Sequence, residues 1–472
     1  MNPAATRTEH DLLGDREVPA DVYYGVHTLR ALENFPISDT PISIYPELVR
    51  ALAAIKQAAA QANHALGVLD AQRAGAIERA CEEILGGAFH DQFVVDVIQG
   101  GAGTSTNMNA NEVIANRALE HLGKARGDYR TLHPIEHVNM SQSTNDVYPT
   151  AVKLAAWSGI GQLIEAMEQL RQAFATKAEE FADVLKMGRT QMQDAVPMTL
   201  GQEFSTYATM LGEDQARLRA AVKLILEINL GGTAIGTGIT APPDYARLVC
   251  ASLSKIWGVQ LATSPDLIEA TQDCGDFVQL SGVLKRVAVK LSKICNDLRL
   301  LSSGPRAGLN EIDLPPMQAG SSIMPGKVNP VIPEVVNQIA HEVIGNDVTV
   351  SFAAEAGQLQ LNAFEPIIAH SLFKSIRHLQ NGCLTLATRC VHGITANRER
   401  LRDMVENSIG IITALNPYIG YANATSVAAE AHRTGGSVYQ LVLERGLLTK
   451  AQLDRLMRPE ELTQPRPIRI TD

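Results

Sequence analysis

Two stretches of this chain repeat their apolar residues at helical intervals for far longer than an ordinary globular helix needs. Leu163, Met167, Leu170, Phe174, Ala178, Phe181 and Leu185 step by three and four; Leu280, Leu284, Val287, Leu291, Ile294 and Leu298 keep a strict four-three alternation. That spacing lays one apolar stripe along each helix, and the alternation is the seam of helices crossing nearly parallel. Each run predicts a helix of roughly twenty-five to thirty residues, over twice the usual length. Val335, Ile339, Val343 and Val348 mark another such helix, and Ile367, Ile376, Leu379, Cys383 and Leu386 one more. The expected fold is all-α with a long central helix bundle. Helices this apolar do not stand alone, which predicts oligomerisation through the bundle.

With 472 residues, two or three domains are expected, and 45% apolar content suffices for a large core. The pattern divides the chain into a mostly helical N-terminal domain (1–146), the central bundle (147–396) and a small helical C-terminal domain (397–472). Breakers crowd the first forty residues, and Asp21–Thr28 carries aromatic and β-branched residues, so a minor β-hairpin is expected there. The tail Pro465-Arg466-Pro467 is expected to fray. The net charge of −10 and the lack of any basic block exclude nucleic acid as a partner, while leaving an anionic substrate open, since a pocket's field is local. The six cysteines (Cys81, Cys250, Cys274, Cys295, Cys383, Cys390) form no CxxC pair and read as reduced thiols of a cytoplasmic protein. The polar N-terminus has no signal-peptide pattern, and no run of eighteen apolar residues suggests a membrane span.

Four polar stretches interrupt the helical patterns. In Gly320-Ser321-Ser322-Ile323-Met324-Pro325-Gly326-Lys327-Val328-Asn329-Pro330, two glycines and two prolines forbid a helix and bring together two hydroxyls, an ammonium and a carboxamide. A phosphate-binding Walker loop needs four residues between its glycines and Ser or Thr after Lys; here five intervene and Val328 follows. In Gly100–Asn109, three glycines precede a polar patch ahead of a helix expected to begin near Asn109. In His133–Asp146, Ser143, Thr144 and Asn145 offer three adjacent neutral hydrogen-bonding groups ahead of a helix expected to follow Pro149. Hydroxyls and amides in both places are equally suited to capping those helices. His133 and His137 lack an HExxH context, and Pro134 keeps them off one helix face, so no metal site is expected. The fourth stretch is Gly188–Pro197, with Gln191 at its centre. Gly236–Ala241 superficially fits a dinucleotide fingerprint, but it follows a helix and meets Pro242-Pro243, so it reads as a turn.

These four stretches resemble the signature segments of the fumarase/aspartase superfamily, homotetrameric lyases that cleave a C–N or C–O bond and release fumarate. The resemblance spans nearly the whole chain and implies that superfamily's three-domain fold, active sites shared between subunits, and no cofactor. It points to Ser321 as the general base. In the family the Thr of the Gly-rich motif, here Thr104, contacts a substrate carboxylate. The chemistry removes a proton from carbon beside a carboxylate, so neutral donors must receive the charge that develops there. Thr104, Ser143, Thr144 and Ser322 are the candidates. Lys327, assisted by Thr190 and Asn329, is expected at the other carboxylate, with Asn145 and Gln191 at the amine. Gln191 stands where some members carry His; a neutral amide orients but does not exchange a proton. Arg30 falls where the family tends to carry an arginine, although a surface charge at a helix start is an equal reading. Ser143-Thr144-Asn145, Gly101–Ser105, Gln191 and Pro330–Glu334 favour deamination of L-aspartate over the alternative, hydration of fumarate to L-malate.

Overall fold

The computed structural model describes residues 5–465. The chain opens with β1 (Thr6–Asp11) and β2 (Gly14–Pro19), then α1 (Val26–Asn34), α2 (Pro46–Ala65), α3 (Ala71–Leu85), α4 (Thr104–His121) and α5 (Thr144–Glu180). A second hairpin, β3 (Leu185–Thr190) and β4 (Gln193–Thr199), leads into α6 (Leu200–Ala221), α7 (Tyr245–Trp257), the single turn α8 (Leu267–Ala270) and α9 (Gly275–Leu301). There follow α10 (Val331–Glu355), α11 (Glu365–Arg389) and the short helices α12 (Arg398–Asn407), α13 (Ile412–Ile419), α14 (Tyr421–Thr434), α15 (Val438–Glu444) and α16 (Lys450–Leu456). Apart from the two hairpins, the described residues pair only as two-residue strands and isolated bridges. The fold is all-α, built on long helices as the periodicity predicts. None of the described helices is long and apolar enough to cross a membrane. Arg466 and Pro467 lie outside the described residues.

The elements divide into two compact units. The first comprises Met1–Ile164, Ala216–Ala288 and His341–Gln380. Its centre is the alanine-rich α2, which packs against α3, α4 and α7 and is buried almost throughout. Small side chains let neighbouring helices approach α2 from several sides at once. The long-helix segments of this unit are cross-linked by polar contacts: Lys153 on α5 pairs with Asp276 on α9 at 2.7 Å. Ser281 and Lys285 of α9 both donate to Asp347 of α10, at 2.8 and 2.6 Å. Arg30 on α1 grips Asp11 with two bonds of 2.7 Å and so ties the first hairpin to that helix.

The second unit comprises Glu165–Gln215, Val289–Ala340 and Asn381–Asp472. Phe174 of α5 and Phe181, one residue past the end of that helix, meet Phe204 and Tyr207 of α6 edge-on, with ring centroids 5.3 to 6.0 Å apart. The stripe expected to stay helical through Leu185 thus ends at Glu180, and Leu185 opens β3. Asn337 of α10 donates to Ser292 and Asn296 of α9. The C-terminal helices enclose a core of their own, in which Val405, Leu415, Val427, Val442 and Leu453 gather around Met187 of β3.

Three local expectations are corrected. Asp21–Thr28 forms no strand; the N-terminal hairpin lies upstream, at β1 and β2, and Val26 begins a helix. The buried Glu112 carboxylate, far along the chain on α4, accepts from the backbone N–H groups of Gly25, His27 and Thr28 and caps that helix. The helix expected near Asn109 begins at Thr104, because Gly103 turns the chain through a left-handed φ of 92°. The helix expected after Pro149 begins at Thr144, with Pro149 inside it. Pro149 has no N–H for the carbonyl of Asn145, one turn earlier; Asn229 Nδ2 supplies the donor instead, at 3.0 Å.

Candidate active site

The first unit holds Thr104, Ser143, Thr144 and Asn145. Ser143 stands just before α5 and caps it: its Oγ accepts from the N–H of Asn145 at 3.2 Å, while its own N–H donates to Asp146 Oδ1 at 2.9 Å. A hydroxyl that caps in this way accepts through its lone pair and keeps its proton for another acceptor. Capping and substrate binding are thus compatible at this residue. Asn145 donates its side-chain nitrogen to the carbonyl of Ala234 at 2.7 Å, which makes its oxygen the end suited to an ammonium. Thr104 is exposed at the start of α4, where its hydroxyl donates to the carbonyl of Gly101 at 2.7 Å. Thr144 accepts from Asn107 Nδ2 of α4 at 3.1 Å, so α4 directly supports the start of α5. A Cβ at Gly103 would come within 2.4 Å of the Tyr148 ring, which explains why the Gly-rich turn can lie so close to α5.

Behind this polar edge lies a network that the sequence patterns do not reveal. Lys56 of α2 is fully buried, and its Nζ donates to Asn107 Oδ1 at 2.7 Å, Asn139 Oδ1 at 2.9 Å and Gln142 Oε1 at 2.9 Å. Three acceptors match the three N–H groups of an ammonium. Burial pushes this ammonium's pKa down to about 7, and the nearby Asp146 opposes the shift. Asp146 is itself fully buried, which raises its carboxyl to about 6 although three backbone N–H groups, from Ser143, Gly231 and Thr233, bind it. The signal for Lys56 in the sequence is its interruption of the run Leu52-Ala53-Ala54-Ile55 by a charge where a core residue belongs.

The second unit holds Thr190, Gln191, Ser321, Ser322, Lys327 and Asn329. Thr190 and Gln191 sit at the tip of the β3–β4 hairpin, both exposed. Gln191 and Met192 form its two-residue turn with φ of 52° and 65°, the left-handed pair that such a hairpin requires and that non-glycine residues adopt at a cost. β3 is fixed near its start by Lys186, which pairs with the buried Glu311 at 2.7 Å, and near its tip by Arg189, which pairs with the same carboxylate.

The segment from Gly320 to Asn329 is a loop closed at its neck. Gly320 N–H donates to the Lys327 carbonyl at 2.7 Å, and Asn329 Nδ2 donates to the Gly320 carbonyl at 3.0 Å. A Cβ at Gly320 would lie 2.6 Å from the Lys327 carbonyl, so only glycine lets the two sides meet. Ser321 Oγ accepts from the backbone N–H of Ile323 at 3.1 Å and of Met324 at 3.0 Å. Such donors stabilise an ionised oxygen more than a neutral hydroxyl. Ser322 and Lys327 are exposed, and Ile323 between them is 83% exposed, an apolar side chain without cover. Six of the predicted groups thus fall in the second unit and four in the first.

Comparison with known proteins sets this geometry in a family. A family model described as Lyase matches residues 14–345, and one described as Fumarase C C-terminus matches residues 411–464. The chain is 61% identical over 470 residues to the aspartate ammonia-lyase of Pseudomonas aeruginosa, covering 99% of each. It belongs to the fumarase/aspartase superfamily. It is also 56% identical over 460 residues to the aspartate ammonia-lyase of Escherichia coli, covering 97% of this chain and 96% of the relative. The cobalt-bound fumarate lyase:delta crystallin of Brucella melitensis superposes with a TM-score of 0.96 at 56% identity, over 98% of this chain and 100% of its own. In this superfamily member, His133 and His137 have local duties. His133 Nδ1 accepts from the N–H of Ile135 at 3.0 Å, and His137 Nδ1 accepts from the N–H of His133 at 2.8 Å.

Proposed function

We propose that the chain deaminates L-aspartate reversibly to fumarate and ammonia, by anti elimination through an enediolate-like intermediate. The observation that carries this reading is full-length similarity, at 56 to 61% identity, to aspartate ammonia-lyases. Ser321, ionised, takes the proton from the carbon beside the side-chain carboxylate of aspartate. The electron pair left behind moves onto that carboxylate, which then carries two negative charges. Ser143, Thr144 and Ser322 donate to its oxygens, joined by Thr104 once its hydroxyl turns from the Gly101 carbonyl to the substrate. Because those bonds strengthen as charge builds up, they lower the barrier rather than merely hold substrate. As the pair returns, the carbon–carbon double bond forms, the C–N bond breaks and ammonia leaves. Lys327, with Thr190 and Asn329, holds the second carboxylate. Asn145 and Gln191 hold the amine. No cofactor enters this scheme. It is supported by the two N–H donors on Ser321 Oγ, which favour the ionised oxygen, and by the anchored carboxamide of Asn145.

The same reading makes the enzyme a cytoplasmic homotetramer whose active sites are shared between subunits. Its support is that Val289, Val335, Val348 and Phe352 are exposed on α9 and α10, apolar surface on long helices that a second subunit would cover, and that all six cysteines are buried and unpaired. Following fumarate absorbance in the ultraviolet tests the substrate assignment. Signal growth with L-aspartate is expected; growth with L-malate alone would assign the chain as a fumarate hydratase instead.

A further inference from the structure

We propose that Lys56, which lies behind the site on α2, is a positioning residue that sets Thr144 as a hydrogen-bond donor by fixing the side-chain amide of Asn107. An ammonium is a donor only, so every amide around it must turn its oxygen inward and its nitrogen away. All three amides obey. Asn107 Nδ2 reaches Thr144 Oγ1 at 3.1 Å, Asn139 Nδ2 reaches the Gln142 carbonyl at 3.2 Å, and Gln142 Nε2 reaches the carbonyls of Val138 and Met140 at 3.1 and 2.9 Å. The same cation therefore orders the turn from Val138 to Gln142 and polarises the hydroxyl of Thr144. Because Thr144 Oγ1 accepts from Asn107, its own proton is left for an outside acceptor. With the Asn107 amide reversed, its oxygen would face Thr144 and draw that proton inward.

Burying a cation without a carboxylate in contact is costly, and here, among the described residues, its three hydrogen-bond acceptors are all neutral oxygens. A carboxylate in place of any of these amides would neutralise the charge, but it would have no N–H to pass on. The amide set is what converts a buried charge into a fixed donor direction at the edge of the site.

This inference rests on the assignment of Thr144 to the developing carboxylate charge. The decisive variant is Asn107→Asp. It keeps an oxygen on Lys56 and completes an ion pair, so the fold is retained, while the donor to Thr144 is lost and the threonine proton turns inward. We expect kcat for aspartate to fall about 10- to 100-fold, with KM changing less than about threefold, since the lost bond belongs to the transition state. Lys56→Met should lower kcat in the same way. Adding Thr144→Val to either variant should then cost little more, because both routes remove one donor. Unchanged kcat in Asn107→Asp with a retained melting temperature would overturn the inference, as would full multiplication of the Asn107→Asp and Thr144→Val effects. The wild-type enzyme is assayed alongside on aspartate and malate. Turnover of malate alone leaves the prediction in force on that substrate, whereas inactivity on both would overturn the functional reading and this inference with it.

Discussion

A serine hydroxyl is a weak base, and what the surroundings of Ser321 do to its oxygen decides whether it can take a proton from carbon. Two backbone N–H groups already point at Oγ, from Ile323 and Met324. Neither donor depends on a side chain, so the arrangement is carried by the backbone of the loop and by the glycine at its neck. Ser321→Ala leaves that backbone intact and removes only the oxygen. Turnover of aspartate should drop by at least about a thousandfold with the oligomer unchanged by size-exclusion chromatography, the scale expected for loss of an acting base. Near-normal turnover would remove Ser321 from the mechanism. At the same scale, Lys56 marks the limit of pattern reading. The serine, lysine and asparagine of the loop are legible because an irregular segment between helices advertises itself. A single lysine inside an alanine-rich helix shows that a charge interrupts an apolar run, but what it serves is seen only when the three amides that meet it, from α4 and the turn before α5, are placed in space.

At the level of elements, α5 shows how a helix can begin ahead of a proline. Position 149 cannot donate to the carbonyl of Asn145, and the Asn229 side chain does so in its place while also donating to Thr271 Oγ1 at 3.1 Å. Asn229→Ala should therefore destabilise the protein by about 1–3 kcal/mol, the range for leaving a buried polar group unpaired, and read out as a lower melting temperature and a raised KM for aspartate through Asn145. Adding Pro149→Ala restores a backbone N–H and should recover part of the melting temperature. A double variant no more stable than Asn229→Ala alone would show that the carbonyl of Asn145 does not need that donor. The existence of the long helices is readable because a 3.6-residue stripe survives over many turns, but α5, at 37 residues, outruns the expected twenty-five to thirty. Helix starts are not readable where they are set by partners distant in sequence: Asn229 for the long α5, and Glu112 for the short α1. Gly103 adds a third case, in which close approach to Tyr148 rather than local propensity decides where α4 begins.

On the scale of the whole molecule, the proposed reading divides each active site among copies of the chain. Thr144 falls in the first compact unit and Ser321 in the second, and the loop that carries Ser321 leaves Ile323, Met324 and Val328 exposed. Shared sites give a prediction that depends on stoichiometry alone. Ser321→Ala is expected to be nearly inactive, and Thr144→Val to keep about 1–10% of the wild-type turnover. When the two are unfolded together and refolded as mixed oligomers, a site that draws Thr144 from one subunit and Ser321 from another will sometimes receive both intact residues. For random mixing at equal amounts, each residue is intact with a chance of about one half, so about a quarter of the wild-type activity should return. Sites confined to one chain cannot recover in this way, because every chain carries a lesion. Activity that stays at the level of the separate variants, in mixtures whose oligomers are confirmed by mass, would therefore place Thr144 and Ser321 of each site on a single subunit.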